Sequence, residues 1–150
     1  MHTIVSASPK DADLLAGLEV RSESYWGYST DFMEKFKRIY LITEEFIADH
    51  PTYMLKDNET IVGFYGIMQS DSEVSLEYLF IEPAFIGKGY GRILWNHALE
   101  ECRKLGITEF TIITSPDARG FYFRLGATVF TEVDSLISDG KKTPKLIYRL

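Results

Sequence analysis

The feature that most constrains this chain is a change of hydrophobic period at Thr52. From there "TYMLKD", "IVGFYGIMQ" and "VSLEYLFI" are rich in β-branched and aromatic residues and are separated only by the short polar stretches "DNET" and "SDSE". Strands joined so tightly pair as antiparallel neighbours, because a parallel crossover needs about a dozen residues or more. A three-strand meander follows. It ends at "EPAFIGKGYG", and helical spacing takes over: Ile93, Leu94, Ala98, Leu99, Cys102 and Leu105 recur on one stripe, with Gly106 as the stop. This predicts a helix over 89–104. Beyond it "EFTIIT" reads as a strand, "SPDARGFYFRLG" as a short helix closed by Gly126, and "ATVFTEV" and "PKLIYRL" as two last strands.

Upstream, "HTIVSA" has the content of a short strand. A helix-start signal follows, with Ser8 as N-cap, Pro9 at the first helical position and Asp11 in the first turn. Leu14, Leu15, Leu18 and Val20 would form its buried stripe. "DFMEKFKRIY" and "TEEFIADH" predict a second, broken helical region, with Thr43 as an N-cap and Pro51 beyond the end. The element order is thus β, α, α, β, β, β, α, β, α, β, β. It implies an α/β fold on a mixed sheet of about seven strands, antiparallel in its first half, with a helical crossover in its second. One domain over 1–150 is the expectation.

Composition bears on partners. Sixteen basic residues against twenty-two acidic ones give a formal charge of −6. That disfavours nucleic acid and suits a cationic substrate. Cys102 is the only cysteine, so neither an intrachain disulfide nor a cysteine-based zinc cluster can form. His2, His50 and His97 fall in different expected elements, and no metal site is expected. No signal-peptide pattern and no apolar run near the roughly 20 residues of a membrane span is present. We expect a cytoplasmic protein with no membrane partner.

"IGKGYG" alone fits two readings, a tight strand-to-helix turn or an anion cradle. It lacks the Lys-Ser/Thr ending of a nucleoside-triphosphate loop and the spacing of a dinucleotide fingerprint. Its context favours the cradle. Backbone N–H groups and the positive end of a helix dipole converge after "LFIEP", glycine leaves them accessible, and Lys88 and Arg92 add charge, all of which suits a pyrophosphate.

The stretch Ile86–Gly91 also resembles the first signature of the acyl-CoA-dependent N-acyltransferase superfamily known as GNAT, (Gln/Arg)-x-x-Gly-x-(Gly/Ala). "SPDARGFYFRLG" resembles the second: a polar residue, an Ala three later, Phe-Tyr, then Gly, here Ser115, Ala118, Phe121, Tyr122 and Gly126. Two departures stand out. Ile86 occupies a position usually held by Gln or Arg, and Ser115 one where Asn is more frequent. The element order agrees along the whole chain, but specific motifs run only from Leu79 to Gly126.

The resemblance implies a GNAT fold, with helices on both faces and with the fourth and fifth strands, 74–81 and 109–114, splayed so that the pantetheine arm of acetyl-CoA fills the gap. Leu79, Phe80 and Ile81 would offer it their backbone, and the N–H of Phe80 or Ile81 would stabilise the tetrahedral oxyanion. Ile86, Gly87, Lys88, Gly89, Tyr90, Gly91 and Arg92 would hold the pyrophosphate, and Ser115, Phe121 and Tyr122 would complete the cofactor site. Tyr122 would also protonate the departing thiolate, and Glu77, read as sharing a face with Leu79 and Ile81, would act through water as base or stand as a solvated carboxylate. Tyr25, Trp26 and Tyr28 lie in the segment that borders the acceptor cleft in this superfamily. They suit an amine or ordinary packing, with Glu23, Asp31 and Glu34 adding negative charge. The implied activity is transfer of an acetyl group to a primary amine of a small molecule or peptide. The alternative is a catalytically weak acyl-CoA-binding module. A homodimer fits the family.

Overall fold

Seven strands, β1 (His2–Ser6), β2 (Thr52–Asp57), β3 (Thr60–Gln69), β4 (Val74–Ile81), β5 (Glu109–Ile113), β6 (Thr128–Asp134) and β7 (Lys142–Arg149), form one sheet. Its order in the computed structural model, which describes residues 1–150, is β1-β2-β3-β4-β5-β7-β6. The expected meander is β2-β3-β4, and every neighbouring pair is antiparallel except β4 and β5. Helices α1 (Ala12–Ser24), α2 (Thr30–Tyr40) and α3 (Glu44–Asp49) lie on one face, and α4 (Tyr90–Lys104) and α5 (Arg119–Arg124) on the other. The fold is the mixed α/β arrangement expected.

Alternation along β2 and β3, with a register slip that leaves Val62 as an extra residue and puts it on the face opposite Phe64, explains the two faces. Leu55, Val62 and Tyr65 join Leu94, Ala98, Leu99 and Cys102 of α4 in the larger core. Met54 and Phe64 join Leu15 and Leu18 of α1 and Ile47 of α3 in the smaller one. Local signals set the helix starts. Ser29 Oγ accepts the Phe32 N–H at 3.1 Å and Thr43 Oγ1 accepts the Phe46 N–H at 3.1 Å. The Ser8-Pro9 signal starts a short 3₁₀ turn, Pro9–Asp11, so α1 itself begins at Ala12.

Two expected core positions are corrected. Leu14 is 51% exposed, because α1 turns Leu15, Leu18, Glu19, Ser22 and Glu23 to the sheet instead. Leu105 caps α4 and points outward, while Trp95, absent from the expected stripe, is buried against Phe110 at 5.4 Å and Tyr148 at 4.9 Å between ring centres.

Strand β4 is irregular along both edges. The register with β3 slips between Gly66 and Ile67, which pair with Tyr78 and Leu76, so Glu77 is the extra residue of a β-bulge. Across its other edge β4 meets β5 at a single registered pair, Ser75 with Thr111. Beyond that pair the two strands separate. No helix is long and apolar enough to cross a membrane.

Candidate active site

The separation leaves part of β4 without a partner. Glu82 N–H donates to Val62 O of β3 at 2.8 Å. In an antiparallel ladder such bonds recur every second residue, so Phe80 also faces β3, while the N–H groups of Leu79 and Ile81 face the gap. Of the two expected oxyanion donors, Phe80 and Ile81, only Ile81 is aimed there. The Phe80 ring packs away from the gap, edge-on to Phe36 at 6.4 Å.

The turn after β4 supplies the next part. Pro83–Phe85 forms a 3₁₀ turn, Ile86 is extended, and Gly87 and Gly89 take φ of 83° and 87°, with Gly89 as N-cap of α4. A side chain at either glycine would be strained by its backbone, although a Cβ there would meet nothing within 4 Å. The open space lies directly over the first N–H groups of a 15-residue helix, where an anion is favoured. The geometry therefore fits a pyrophosphate, and the unpaired edge of β4 fits an extended amide-bearing arm. Gly91 serves packing instead. A Cβ there would lie 3.0 Å from the Phe121 ring, so this glycine lets α5 pack on α4. Lys88 and Arg92 stand exposed beside the turn, the Lys88 ammonium 5.5 Å over the Phe85 ring, and the Tyr90 hydroxyl donates to Asp57 at 3.0 Å.

Around the gap lies a group of buried titratable side chains. Tyr122 is enclosed beside Trp95 and Phe121, at 6.0 and 5.1 Å between ring centres. Burial, aided by the charge of Glu23, raises its pKa well above the usual phenol range, so the hydroxyl stays protonated. Glu23, in the last turn of α1, is 5% exposed. Burial pushes its pKa up to about 7; hydrogen bonding with Ser115 opposes this, and nearby Asp117 reinforces it. The Tyr28 hydroxyl is buried without a hydrogen-bond partner near Ser115 and Asp117, and burial raises its pKa. One turn before Glu23, Glu19 is wholly buried; its Oε1 accepts the Ile42 N–H at 3.0 Å, and its Oε2 has no partner. Burial first, then the Glu23 charge, carry its pKa to about 8, with the Ile42 bond opposing.

Comparison with known proteins bears on this geometry. A sequence profile described as the Acetyltransferase (GNAT) family matches residues 18–127. The chain belongs to the GNAT acetyltransferase family. Among solved structures, PaiA N-acetyltransferase from Thermoplasma acidophilum in complex with coenzyme A has a TM-score of 0.82 at 21% identity, covering 100% of this chain and 99% of that one. A GCN5-related N-acetyltransferase from Rhodopseudomonas palustris has a TM-score of 0.82 at 20% identity, covering 99% and 95%. N-acetylglutamate synthase from Neisseria gonorrhoeae, complexed with coenzyme A and N-acetyl-glutamate, has a TM-score of 0.72 at 18% identity, covering 100% of this chain and 35% of that one. Comparison with curated protein sequences found no match.

Within this GNAT chain the expected site residues separate into groups. Leu79 and Ile81 lie on the unpaired edge of β4, the glycine turn follows that strand, and Ser115 follows β5, with Tyr122 in the core beneath α4. Glu77 does not share a face with Leu79 and Ile81: the bulge turns it over, and Ser75 Oγ donates to its Oε1 at 2.8 Å. It stands exposed on the side of Tyr40 and Tyr78, whose pKa values its charge helps raise. Tyr25 and Trp26 form an exposed edge-to-face pair at 5.2 Å, so Trp26 is not packing between helices, whereas Tyr28 stacks on Phe32 at 4.1 Å. Asp31 and Glu34 face solvent on α2, Glu34 paired with Lys37. Ile86 is half-buried and supplies no side-chain donor. The connection between β6 and β7 roofs this region: Ile137 is buried against Met33 and Phe36, and Lys35 Nζ donates to Ile137 O at 3.2 Å. Sequence reasoning missed Glu19, although it recurs with Glu23 at i, i+4 beside Leu15 and Leu18. No group of three or more His, Cys, Asp or Glu is placed to hold a metal ion.

Proposed function

We propose that residues 1–150 act as one cytoplasmic N-acetyltransferase domain that moves an acetyl group from acetyl-CoA to a primary amine by direct attack in a ternary complex. The observation that carries this reading is the parting of β4 and β5 beside an open glycine turn and a buried phenol. Acetyl-CoA would supply the activated acyl group. In this reading the Leu79 and Ile81 amides bond the pantetheine arm, and the Ile81 N–H also stabilises the oxyanion. The amides from Gly87 to Gly91, with Lys88 and Arg92, hold the pyrophosphate, and Ile86, Ser115 and Phe121 flank the cofactor. Tyr122 gives its proton to the departing sulfur. Tyr25, Trp26 and Tyr28 border the acceptor, a cationic small molecule or a peptide amine, which the acidic charge near Glu23 and Asp117 favours.

Much of the acceleration needs no side-chain chemistry. Holding amine and thioester in attack geometry supplies about 7–11 kcal/mol in well-oriented model systems. The alternative, an acyl-CoA-binding module with weak catalysis, draws its support from Ile86, which removes one side-chain donor from the cradle. Calorimetry with coenzyme A and thiol release from acetyl-CoA across an amine panel separate the two. Binding with amine-dependent release supports the transferase, binding without release supports the module, and no binding overturns both. A homodimer is part of the reading, supported by exposed Val129 and Phe130 on β6 and by Leu136 beyond it.

A further inference from the structure

The last turn of α1 lies across the mouth of the gap. Arg21 ties it to the end of β4: Nε donates to Glu82 Oε1 at 2.6 Å and Nη2 to Oε2 at 2.9 Å. Two residues later Glu23 turns to the other lip, meeting Ser115 and Asp117, which follow β5. Tyr122 belongs to the core on the opposite face of the sheet. Glu23 and Tyr122 are nonetheless close enough for the charge of one to raise the pKa of the other. The sheet between them is not closed by a continuous ladder, because β4 and β5 pair only at Ser75 and Thr111.

Resting on the transferase reading, we infer that Glu23, rather than Glu77, is the carboxylate that accepts a proton from the incoming ammonium, on the side of the gap opposite Tyr122. Glu77 is exposed and already bonded by Ser75. Glu19 is sealed and bonded by Ile42. Glu23 is buried at the end of α1 with Ser115 and Asp117 beside it, and carries no hydrogen bond from a backbone N–H such as the one that holds Glu19. The groups facing it are Glu19 on its own helix, Tyr40 of α2, Asp117 after β5 and Tyr122 of α5, with Tyr28 beside Ser115 and Asp117.

Glu23 takes one proton from R–NH₃⁺, and the freed lone pair forms the N–C bond to the acetyl carbonyl. The tetrahedral nitrogen loses a second proton to water. The C–S bond then breaks, sulfur leaves with its electron pair and takes the Tyr122 proton, and Tyr122 regains one from protonated Glu23. The net products are amide, free thiol and one proton. Burial aids the first transfer, since raising a carboxyl from 4.5 to about 7 makes proton removal from a given ammonium about 300-fold less unfavourable.

The test measures kcat/KM against pH with acetyl-CoA and butylamine, alongside calorimetry with coenzyme A. The wild type is expected to gain activity through a limb near pH 7 as Glu23 loses its proton. Glu23→Gln is expected to lose the limb and about 100-fold or more in rate while binding coenzyme A within about threefold of wild type, and Glu77→Gln to keep the limb. Should Glu23→Gln fail to fold, Glu23→Asp takes its place, expected to keep a limb at reduced rate. Apart from turnover, the Glu23 carboxyl ¹³C resonance, assigned by its loss in the variant, is expected to titrate near 7 in the free protein and to move when butylamine is added with coenzyme A. An active wild type whose Glu23→Gln (or, in its place, Glu23→Asp) variant keeps rate and limb, or a carboxyl that titrates near 4.5, overturns the assignment of Glu23 alone. A wild type that releases no thiol with any amine overturns the transferase reading itself.

Discussion

Tyr122→Phe separates packing from chemistry at the proposed reaction centre. The ring is fixed by Trp95, Phe121 and the α4 core, whereas its hydroxyl makes no hydrogen bond within the protein. Removing that oxygen leaves every ring contact in place and orphans no partner. The expected stability change is therefore within about 0.5 kcal/mol, a melting shift of about 2 °C or less for a chain of this size. Function should respond differently. Burial holds the phenol protonated across the assay range, the state needed to give a proton to a leaving thiolate. Losing a general acid costs about 100- to 10,000-fold, or about 2.7–5.4 kcal/mol in the barrier. The assay pairs thiol release, with a responsive amine, against a melting curve and calorimetry with coenzyme A. A variant that folds, binds coenzyme A and turns over within about threefold of wild type would refute the assignment.

Gly89→Ala should cost about 1–2 kcal/mol in denaturant unfolding through its positive φ alone, since its Cβ meets nothing, and should weaken coenzyme A binding in calorimetry. Trp95→Ala removes the aromatic contacts with Phe110, Tyr122 and Tyr148 and should cost about 3–5 kcal/mol by the same unfolding measurement. Glu19 and Glu23 have folded pKa values of about 8 and about 7 against an ordinary 4.5, so their contribution to stability is full below pH 4.5 and is lost as pH rises through 7 and 8. Each group lowers stability by about 1.4 kcal/mol per pH unit in that window, and Glu19→Gln should therefore exceed wild type by a margin that grows from about pH 5 to about pH 8 in denaturant titrations. Light scattering should give a dimer for wild type and a monomer for Phe130→Lys, which puts a charge on the exposed apolar β6 edge.

The meander was legible because the links at "DNET" and "SDSE" are too short for anything but hairpins, and α4 because its apolar residues keep a 3.6-residue period up to Gly106. The glycine turn was legible only as a whole. Its division of labour, with Gly87 and Gly89 serving the backbone and Gly91 serving Phe121, depends on where α5 lands. Glu77 was misplaced because alternation assumes an unbroken register, and the slip opposite Gly66 and Ile67 makes Glu77 an extra residue that pairs with neither. Glu19, and the burial of Glu23, escaped for a different reason. A pattern search treats carboxylates as solvent-facing, whereas here they continue the buried line of Leu15 and Leu18 into the polar end of α1.

That polar end follows from the sheet beneath it. Where β4 and β5 are paired, an α1 side chain meets a closed surface, and apolar residues are the stable choice, as at Leu15 and Leu18. Where the strands part, the N–H groups of Leu79 and Ile81 have no strand partner, and an apolar lid would bury them unsatisfied. Glu19, Ser22 and Glu23 occupy the last buried turns of α1, which brings hydrogen-bonding groups to a region that cannot be sealed with hydrocarbon. The cost appears in the carboxyls, both held far from their ordinary acidity. In the proposed mechanism the same opening gives Glu23 access that an intact sheet would deny: a group on the α1 face and a phenol on the α5 face would act on one point between the strands. In that mechanism the single pairing at Ser75 thus leaves the sheet open where a proton acceptor and a proton donor would stand on opposite sides of a common centre.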